Sequence, residues 1–552
     1  MTVIVTRKQF TPSPIPTASW DGRRPVAVVG AGLVGLTLAL DLARRGIPVT
    51  ILEKGRAIAA GSRAIVFARR SLEILARLGL GDLIAEKGVA WDVGAVYHRD
   101  KLLFKKAMVA DAESEHPPFL NLQQYYVEEW LVEACLRTGS VDIRWGHAVV
   151  SVSQSQRCAE ARVETAEGGY RMAVDWLVAC DGAGSSVRRV LDLHFVGRVF
   201  RDRFLIADVR LAEALPAERR FWFDAPFHPD RSVLLHKQPD DVWRVDFQLG
   251  WEANPEVECQ PERVTARLRE MFGRDTAMEL VWASVYTFKS RRLERFVHGR
   301  ILFAGDSAHQ VSPFGGRGGN GGIQDADNLG WKLAEVVGGR ADHRLVASYD
   351  EERVAAADDD ILESTRSAEF ITPPTPAARA LRDAVLSLAG RHEFASRMVN
   401  SGRLSSPRVL AGSSLNTPRP AVAGALALGS PAPDVPVMSR RGPDWLLRHL
   451  GGGFTLLHAP RPDGPPGLDL AAATGLDVVS VATGRPGDGG GRVRLWDPEG
   501  SVRRRYGLAP GDCMLFRPDQ HLAAHLSGED VGPVMRARDR ATARITEASP
   551  CR

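Results

Sequence analysis

The segment formed by residues 25–53 limits most strongly what this chain can fold into. Pro25 to Val29 is apolar and β-compatible, and the glycine pattern GAGLVG that follows leads directly into a helix rich in alanine and leucine. A second apolar run, Val49 to Leu52, ends at Glu53. Strand, glycine turn, helix and strand in this order predict a βαβ unit whose backbone approaches a pyrophosphate. The acid at the end of the second strand is placed to bind a ribose hydroxyl, which favours FAD or NAD over NADP.

A second glycine-rich segment lies between Ile301 and Leu333. The apolar run Ile301 to Ala304 predicts a buried strand that ends at Gly305-Asp306, and the carboxyl ends of such strands are where open α/β sheets bind ligands. Closely spaced glycines follow, which allow backbone amides to approach a flat or anionic ligand. A helix is expected to begin near Ile323, with its positive N-terminal end directed at the same place.

The pattern between residues 195 and 290 changes from helices to strands. Val242 to Leu249 alternates, which places Trp243, Val245, Phe247 and Leu249 on one face and Arg244, Asp246 and Gln248 on the other. This alternation predicts an antiparallel sheet with one face in water. Further strands are expected at Phe204–Val209, Arg220–Phe223 and Val281–Phe288.

Length and charge narrow the class of protein. With 552 residues, several domains are expected, and a net charge of +4 without a long basic run gives no reason to expect nucleic acid or a membrane surface as a partner. The six cysteines form no CxxC and no metal-ligand spacing, so we predict a cytoplasmic protein without a metal site. The longest apolar run is interrupted by glycines and is too short to span a bilayer.

Three motifs together resemble those of the FAD-dependent aromatic hydroxylases, the single-component flavoprotein monooxygenases. Gly305-Asp306 with the glycines that follow resembles the family's GD motif, and Asp181-Gly182, after the apolar run ending at Cys180, resembles its DG motif with Arg188 on the next helix. The segment from Leu120 to Arg137 resembles the family's Q-x-x-x-E-x-x-L helix. By that match the cofactor contact is Gln124, and Gln123 is a close alternative.

The resemblance implies a set of contacts to FAD. Asp306 would hold the ribityl chain, Pro313 to Gly319 would lie against the isoalloxazine ring, and Asp181 would serve the pyrophosphate end. The full set of predicted cofactor contacts is Gly30, Gly32, Gly35, Glu53, Lys54, Arg63, Gln124, Asp181, Asp306, Pro313, Gly316, Gly318, Gly319 and Asn320. His236 and Tyr286 are candidate catalytic or substrate contacts, whereas His309 is interpreted as a structural histidine. The chain departs from the common family form at Ser312 and Arg317, and Arg317 would add positive charge near the flavin.

The resemblance also implies a fold class. We expect an α/β protein with a discontinuous Rossmann-like FAD-binding domain over residues 21–410, into which the antiparallel substrate sheet of residues 195–290 is inserted. A loosely held tail (1–20) precedes it. A linker (411–435), marked by proline, serine and glycine, leads to a C-terminal domain (436–552) that resembles the thioredoxin-like domain of phenol hydroxylases.

The function implied by the resemblance is that of an FAD-dependent NAD(P)H:aromatic monooxygenase. It would use NADH or NADPH and O₂ to hydroxylate a small phenolic or related aromatic substrate through a flavin C4a-hydroperoxide, as a monomer or homodimer. An alternative is a polyketide-tailoring oxygenase that hydroxylates or performs Baeyer–Villiger insertion. An alternative of another class is a non-catalytic flavin-binding interaction protein.

Overall fold

The structure is a computed structural model. It describes residues 8–16, 24–58, 61, 64–91, 93–107, 113–212, 215–399, 405–420, 424–461, 470–482, 484 and 495–544. The chain forms two compact units: the first contains residues 1–110, 118–326 and 357–406, and the second contains residues 111–117, 327–356 and 407–552. Within the described ranges, no helix is both long enough and apolar enough to cross a membrane.

The strands, in chain order, are β1 Arg24–Val29, β2 Val49–Glu53, β3 Val66–Ala68, β4 Val89–Ala90, β5 Val93–His98, β6 Lys101–Ala107, β7 Phe119–Asn121, β8 Val141–Trp145, β9 Ala148–Gln154, β10 Ala159–Thr165, β11 Gly168–Ala179, β12 Phe195–Leu211, β13 Arg219–Phe223, β14 Val233–Lys237, β15 Val242–Gln248, β16 Met278–Leu293, β17 Val297–His298, β18 Ile301–Phe303, β19 His309–Gln310, β20 Pro436–Ser439, β21 Gly442–Trp445, β22 Thr455–His458, β23 Asp477–Ala482, β24 Leu495–Trp496, β25 Asp512–Phe516 and β26 Leu522–Ser527.

The α-helices, in the same order, are α1 Leu33–Arg44, α2 Arg69–Arg77, α3 Gly81–Lys87, α4 Gln124–Arg137, α5 Ser186–Val190, α6 Pro255–Glu258, α7 Pro261–Phe272, α8 Gly318–Val337, α9 Ala347–Ile371, α10 Pro376–Ala389, α11 Glu393–Val399, α12 Leu470–Thr474, α13 Ser501–Tyr506 and α14 Val531–Ala541. Short 3₁₀ turns occupy Gly305–Ser307, His343–Val346 and Leu446–His449.

A parallel sheet forms the centre of the first unit. Its strands follow the order β17-β18-β11-β1-β2-β8, and β18, β11, β1, β2 and β8 run parallel. Helix α1 connects β1 to β2, as the βαβ pattern predicts. Both faces of β1 are covered, since Val26, Ala27, Val28 and Val29 are all buried. A continuous apolar run is typical of a central parallel strand, and the predicted α/β class is therefore confirmed.

The second sheet of this unit has the order β19-β16-β12-β15-β14-β13-β5-β6, and its pairs are antiparallel except β13 with β5. The expected strands are present within it. Trp243, Val245 and Phe247 of β15 belong to a buried apolar core, as the alternation predicts. The expectation of a wet opposite face is wrong, because Arg244 on that face is only 2% exposed. Alternating apolar and polar residues assign the side chains of β15 to two faces of the sheet. They do not show whether the polar face is covered by other parts of the protein.

Helix α8 begins earlier than the sequence predicts. It starts at Gly318 rather than near Ile323, so the last glycines of the glycine-rich segment lie in its first turns. Close packing explains why the first turns of α8 contain glycine despite its low helix propensity. A Cβ atom at Gly322 would lie 2.5 Å from the Val34 side chain, and one at Gly319 would lie 3.0 Å from the Ala64 Cβ.

The second unit is built on a mixed sheet of order β21-β20-β24-β23-β22-β25-β26. β22 runs parallel to β23 and antiparallel to β25, and β25 runs antiparallel to β26. Helix α12 connects β22 to β23, and α14 follows β26. Val479, Leu495, Tyr506, Met514 and Phe516 belong to its apolar core.

A fully buried charge cluster lies inside the second unit. Arg517 donates to Glu352 and Asp519, and Lys332 donates to Glu352 at 2.6 Å. All four side chains are at most 1% exposed. The two neighbouring cations hold the pKa of Glu352 below its ordinary value despite burial, so the charges are compensated within the cluster.

Candidate active site

The predicted phosphate-binding turn joins β1 to α1. Gly30 has φ +106°, and a Cβ atom there would lie 2.6 Å from the Cys180 carbonyl oxygen. A Cβ atom at Gly35 would overlap the Gly30 carbonyl oxygen. Gly30 and Gly35 therefore permit the close approach of the turn, β11 and α1, as the dinucleotide pattern requires.

We expect Gly35→Ala to disrupt this turn. The added methyl group meets a backbone oxygen that no rotamer change can move, so the free energy of unfolding should fall by about 3 kcal/mol and bound flavin should be lost. Chemical denaturation and the flavin absorbance of the purified protein measure both effects. Gly94→Ala is a matched control, since the nearest atom to a Cβ there is 4.0 Å away. Equal stability and flavin content in both variants would contradict this account.

Glu53 closes β2 beside the turn. Its carboxylate accepts hydrogen bonds from the backbone N–H groups of Ala31 at 2.8 Å and Gly55 at 2.6 Å. These amides fix the carboxylate at the carboxyl end of the parallel sheet. Lys54 is exposed and is not part of the cavity described below, and the predicted contact Arg63 lies outside the described residues.

Helix α4 contributes an amide to the site. Gln124 accepts from the Ala64 backbone N–H at 3.0 Å and donates to Glu128 at 2.7 Å, and Glu128 also accepts from the Leu33 backbone N–H at the start of α1. Gln123 instead donates to the Pro239 carbonyl oxygen and is 1% exposed. Gln124, and not Gln123, lines the cavity.

The Asp181-Gly182 turn follows β11. Asp181 accepts from the backbone N–H groups of Ser186 at 2.7 Å and Val187 at 3.3 Å, so it caps helix α5. Gly182 has φ +76°, a conformation that favours glycine. Gly182 lines the cavity, whereas Asp181 does not.

The Gly305-Asp306 turn is held by a buried pair. His309 and Asp325 approach to 2.6 Å, and the same carboxylate accepts from the Gly305 backbone N–H at 2.9 Å. His309 is 2% exposed, so its contacts agree with a structural role. Asp306 itself is half-buried and lines the cavity.

Asn320 connects the glycine-rich segment to strand β3. Its side chain accepts from the Ala68 backbone N–H at 2.9 Å and donates to the Val66 carbonyl oxygen at 2.8 Å. Arg317 is 3% exposed, lines the cavity and faces Asp360 at 3.8 Å. Its positive charge is therefore opposed by a carboxylate within the same unit.

These segments surround one cavity of about 300 Å³ in the first unit. It brings together many of the predicted residues: Gly32, Gln124, His236, Tyr286, Asp306, Pro313, Gly316, Gly318, Gly319 and Asn320. Gly30, Gly35, Glu53, Lys54 and Asp181 are not part of its lining. Gly30 and Gly35 shape the turn that leads to Gly32, and Glu53 accepts from the Ala31 backbone N–H of the same turn.

The cavity wall fits a flat cofactor that approaches the backbone. Among the described residues, no atom lies within 4 Å of a Cβ built at Gly182, and the nearest to one at Gly318 is 3.6 Å away. At Gly32 the nearest atom is Glu128 Oε1 at 3.8 Å. Side chains at these three positions would extend into the cavity instead of packing against protein. Because glycine has no side chain, the cavity keeps room for FAD.

The second sheet supplies the opposite wall. Phe204, Phe288 and Phe314 pack against one another with ring centroids 4.5–5.4 Å apart, and Tyr286 lies beside Phe288. An aromatic wall of this kind suits a planar, apolar substrate. His236 also lines the cavity, and burial together with Arg219 and Arg244 lowers its pKa well below the ordinary value.

Sequence reasoning missed several polar residues of this wall. Arg219, Arg244 and Asp246 line the cavity. The alternation of β15 places Arg244 and Asp246 on the same face but does not show that this face lines a cavity. Burial raises the pKa of Asp246 to about 6, against the opposing effect of Arg244. Burial lowers the pKa of Arg219 to about 10. A charged pair on an otherwise apolar strand was the signal available in the sequence.

Comparison with known proteins finds an FAD-binding family model and several monooxygenases that are similar to this chain. A family model described as an FAD binding domain matches residues 23–363. The 12-dehydrotetracycline 5-monooxygenase/anhydrotetracycline 6-monooxygenase of Streptomyces rimosus is 32% identical over 465 residues, 80% of this chain and 84% of that protein. The 6-methylpretetramide 4-monooxygenase of Streptomyces rimosus is 31% identical over 527 residues, 90% of each chain. The solved structure of the flavin-dependent monooxygenase PieE with FAD and substrate has a TM-score of 0.80 at 23% identity, covers 95% of this chain and 99% of its own, and shows the shared fold.

Proposed function

Since the chain belongs to the family of FAD-dependent aromatic hydroxylases, we propose that it uses NADH or NADPH and O₂ to hydroxylate a fused-ring phenolic substrate. The observation that carries this proposal is the cavity described above, which is lined both by glycine turns and by aromatic residues of the second sheet. Such a cavity brings a wall suited to a flat cofactor and a wall suited to an apolar substrate into one space. When bound, FAD supplies the oxygen-activating chemistry that side chains lack.

The similar monooxygenases favour a polyketide substrate over a simple phenol. Two of them are named for tetracycline and pretetramide compounds. We therefore propose that this chain is a polyketide-tailoring oxygenase, the alternative that the motifs left open, and that its reaction is hydroxylation. Product structure distinguishes ring hydroxylation from Baeyer–Villiger insertion, because both add one oxygen atom.

The residues of the site divide between the two ends of the cofactor. Gly32 would lie against the pyrophosphate near the start of α1, where the helix dipole favours anions, and Gly30 and Gly35 would shape the turn. Glu53 accepts a hydrogen bond from the adenosine ribose. Asp306 accepts from the ribityl hydroxyl groups at the opposite end.

The segment from Pro313 to Gly319 would lie against the isoalloxazine ring, and Gln124 would contact the flavin. The aromatic wall then covers the substrate and excludes water, which limits loss of the activated oxygen. Tyr286 and His236 are the proposed substrate contacts on this wall. A neutral imidazole at His236 suits hydrogen bonding to a substrate hydroxyl group better than it suits carrying charge.

We also propose that the C-terminal part of the second unit is thioredoxin-like. The succession β22-α12-β23-β24-α13-β25-β26-α14, with sheet order β24-β23-β22-β25-β26, supports this proposal because it combines parallel and antiparallel pairs as that fold does. The chain contains no CxxC, so we assign this unit a structural role rather than dithiol chemistry.

The function is tested by adding aromatic compounds to the purified holoprotein with NADH or NADPH. We expect fused-ring phenols to accelerate both nicotinamide oxidation and O₂ consumption, with a product that gains one oxygen atom. O₂ consumption indistinguishable from that of free FAD, across phenols and polycyclic substrates alike, would support a non-catalytic flavin-binding protein instead.

A further inference from the structure

Polar side chains form a row across neighbouring strands on the cavity face of the second sheet. His236 of β14 pairs in register with Arg244 of β15, which pairs with Asp208 of β12. Arg220 of β13 pairs with Leu235, so Arg219 lies next to His236 at the end of this row. We call Arg219, His236, Arg244 and Asp208 the polar row. Asp246 lies on the same face, two residues beyond Arg244.

One half of the polar row is internally satisfied. Arg244 donates two hydrogen bonds to Asp208, at 2.7 and 2.8 Å, and their side chains are 3% and 6% exposed. A bidentate pair of this kind holds both groups in a fixed geometry. It therefore acts as a rigid frame beside the remaining polar groups.

The other half of the polar row, Arg219 and His236, and the neighbouring Asp246 have unused hydrogen-bonding capacity. His236 is 5% exposed, and its Nδ1 atom is buried without a partner among the described residues. Asp246 Oδ1 is likewise buried without a partner in the described part of the chain, and its other oxygen lies 3.8 Å from His236. Within the same ranges, no side-chain hydrogen bond of Arg219 is formed, and the charge that acts on its guanidinium group is that of Asp246. Buried polar groups without partners are rare and costly, so groups that face a cavity indicate what its occupant must supply.

These groups specify complementary chemistry. Arg219 only donates hydrogen bonds, whereas the carboxylate of Asp246 only accepts them. An occupant that satisfies both must present an acceptor and a donor next to each other. A carbonyl oxygen beside a hydroxyl or amide N–H group meets this requirement with two separate atoms, whereas a single phenolic hydroxyl group would have to accept from Arg219 and donate to Asp246 through one oxygen atom.

We propose that Arg219 and Asp246 form a recognition site for a substrate edge that carries a carbonyl oxygen beside an O–H or N–H group. The carbonyl oxygen accepts from Arg219, and the neighbouring donor bonds to Asp246. The inference rests on the proposed function, since it assigns the cavity to the substrate of the flavin reaction. It adds a substrate class: fused-ring phenols that bear a carboxamide or an enolised dicarbonyl group.

The test is a titration of wild-type holoprotein with two probes of similar size and without a ring hydroxyl group, naphthalene-2-carboxamide and methyl naphthalene-2-carboxylate. Both carry the carbonyl oxygen, but only the amide has N–H donors. Binding is followed through the flavin absorbance. We expect the amide to bind about tenfold more tightly than the ester, as for a hydrogen bond to a charged group.

Variants assign the two contacts separately. Asp246→Ala should reduce the amide-to-ester preference to about one, because the acceptor is gone. Arg219→Met should weaken the binding of both probes by about tenfold and leave the amide-to-ester affinity ratio unchanged. Arg219→Lys should restore part of that affinity.

Arg220→Met is the matched control, since Arg220 lies next to Arg219 on the opposite face of β13 and faces Glu218 at 3.5 Å. It should change neither affinity nor ratio. The inference is overturned if Asp246→Ala keeps the amide preference, if Arg219→Met binds both probes as wild type does, or if the wild-type holoprotein does not bind the amide. Absence of FAD from the wild-type protein would instead overturn the proposed function.

The pH dependence supplies a second readout. Asp246 is faced by His236 of β14, Arg219 of β13, and Asp208 of β12, and shares β15 with Arg244. Its pKa of about 6 means that the carboxylate is lost as the pH falls through this value. The amide preference of wild type should therefore decline below about pH 6, because a neutral carboxyl group is a weaker acceptor. A preference that is constant from about pH 5 to 8 would contradict the role of Asp246.

Discussion

Asp306→Ala is expected to weaken FAD binding by about one to two powers of ten while the protein remains folded. Asp306 follows the buried strand β18, lines the cavity and stands in a turn that His309 and Asp325 hold from behind. A half-buried carboxylate there accepts charge-assisted hydrogen bonds from the ribityl hydroxyl groups. Its loss leaves those donors unpaired, at about 1–3 kcal/mol. Titration of apoprotein with FAD measures the change.

Two variants sharpen this prediction. Asp306→Asn keeps the size and one acceptor oxygen but removes the charge, so its affinity should lie between wild type and Asp306→Ala. Glu53→Ala should weaken FAD through the adenosine ribose. Because the two carboxylates contact distant parts of the cofactor, the double variant should be nearly additive. An Asp306→Ala protein that holds FAD as tightly as wild type would refute the assignment of this turn.

Arg517→Met is expected to destabilise the second unit by about 3–5 kcal/mol. The guanidinium group bonds to Glu352 and Asp519, and all three side chains are almost completely buried. Its removal leaves two carboxylates with Lys332 as their remaining cationic neighbour in the cluster. An uncompensated buried charge is far more costly than the loss of a surface ion pair. Chemical denaturation monitored by circular dichroism gives the free energy of unfolding.

Arg503→Met provides the comparison, since Arg503 is exposed on α13 in the same unit. It should change the free energy of unfolding by less than about 0.5 kcal/mol. Similar values for the two variants would mean that the buried cluster does not contribute as its geometry indicates.

The parts of the fold with strong periodicity could be predicted from the sequence. β1 and β2 lie within one residue of their predicted ends, because buried parallel strands give continuous apolar runs bounded by glycine and acid. The start of α8 at Gly318 could not be predicted, since glycine normally disfavours helix. Its packing against Val34 and Ala64 becomes visible only in three dimensions.

The site shows the same division. Motif spacing located Gln124 and Asp306, which line the cavity. The polar row could not be found in this way, because alternation in β15 shows that Arg244 and Asp246 share a face without showing that the face is buried against a cavity. Asp325 sits within α8 and becomes recognisable only through its contact with His309.

The most direct test of the central claim is the origin of the oxygen atom in the product. Purified holoprotein is incubated under ¹⁸O₂ with NADH or NADPH and a fused-ring phenol that it turns over, and the product is analysed by mass spectrometry. The account predicts that each hydroxylation adds one ¹⁸O atom to the product as a hydroxyl group on the aromatic ring. A product whose new oxygen comes from water, or a protein that consumes nicotinamide without oxidising any aromatic compound, would contradict it.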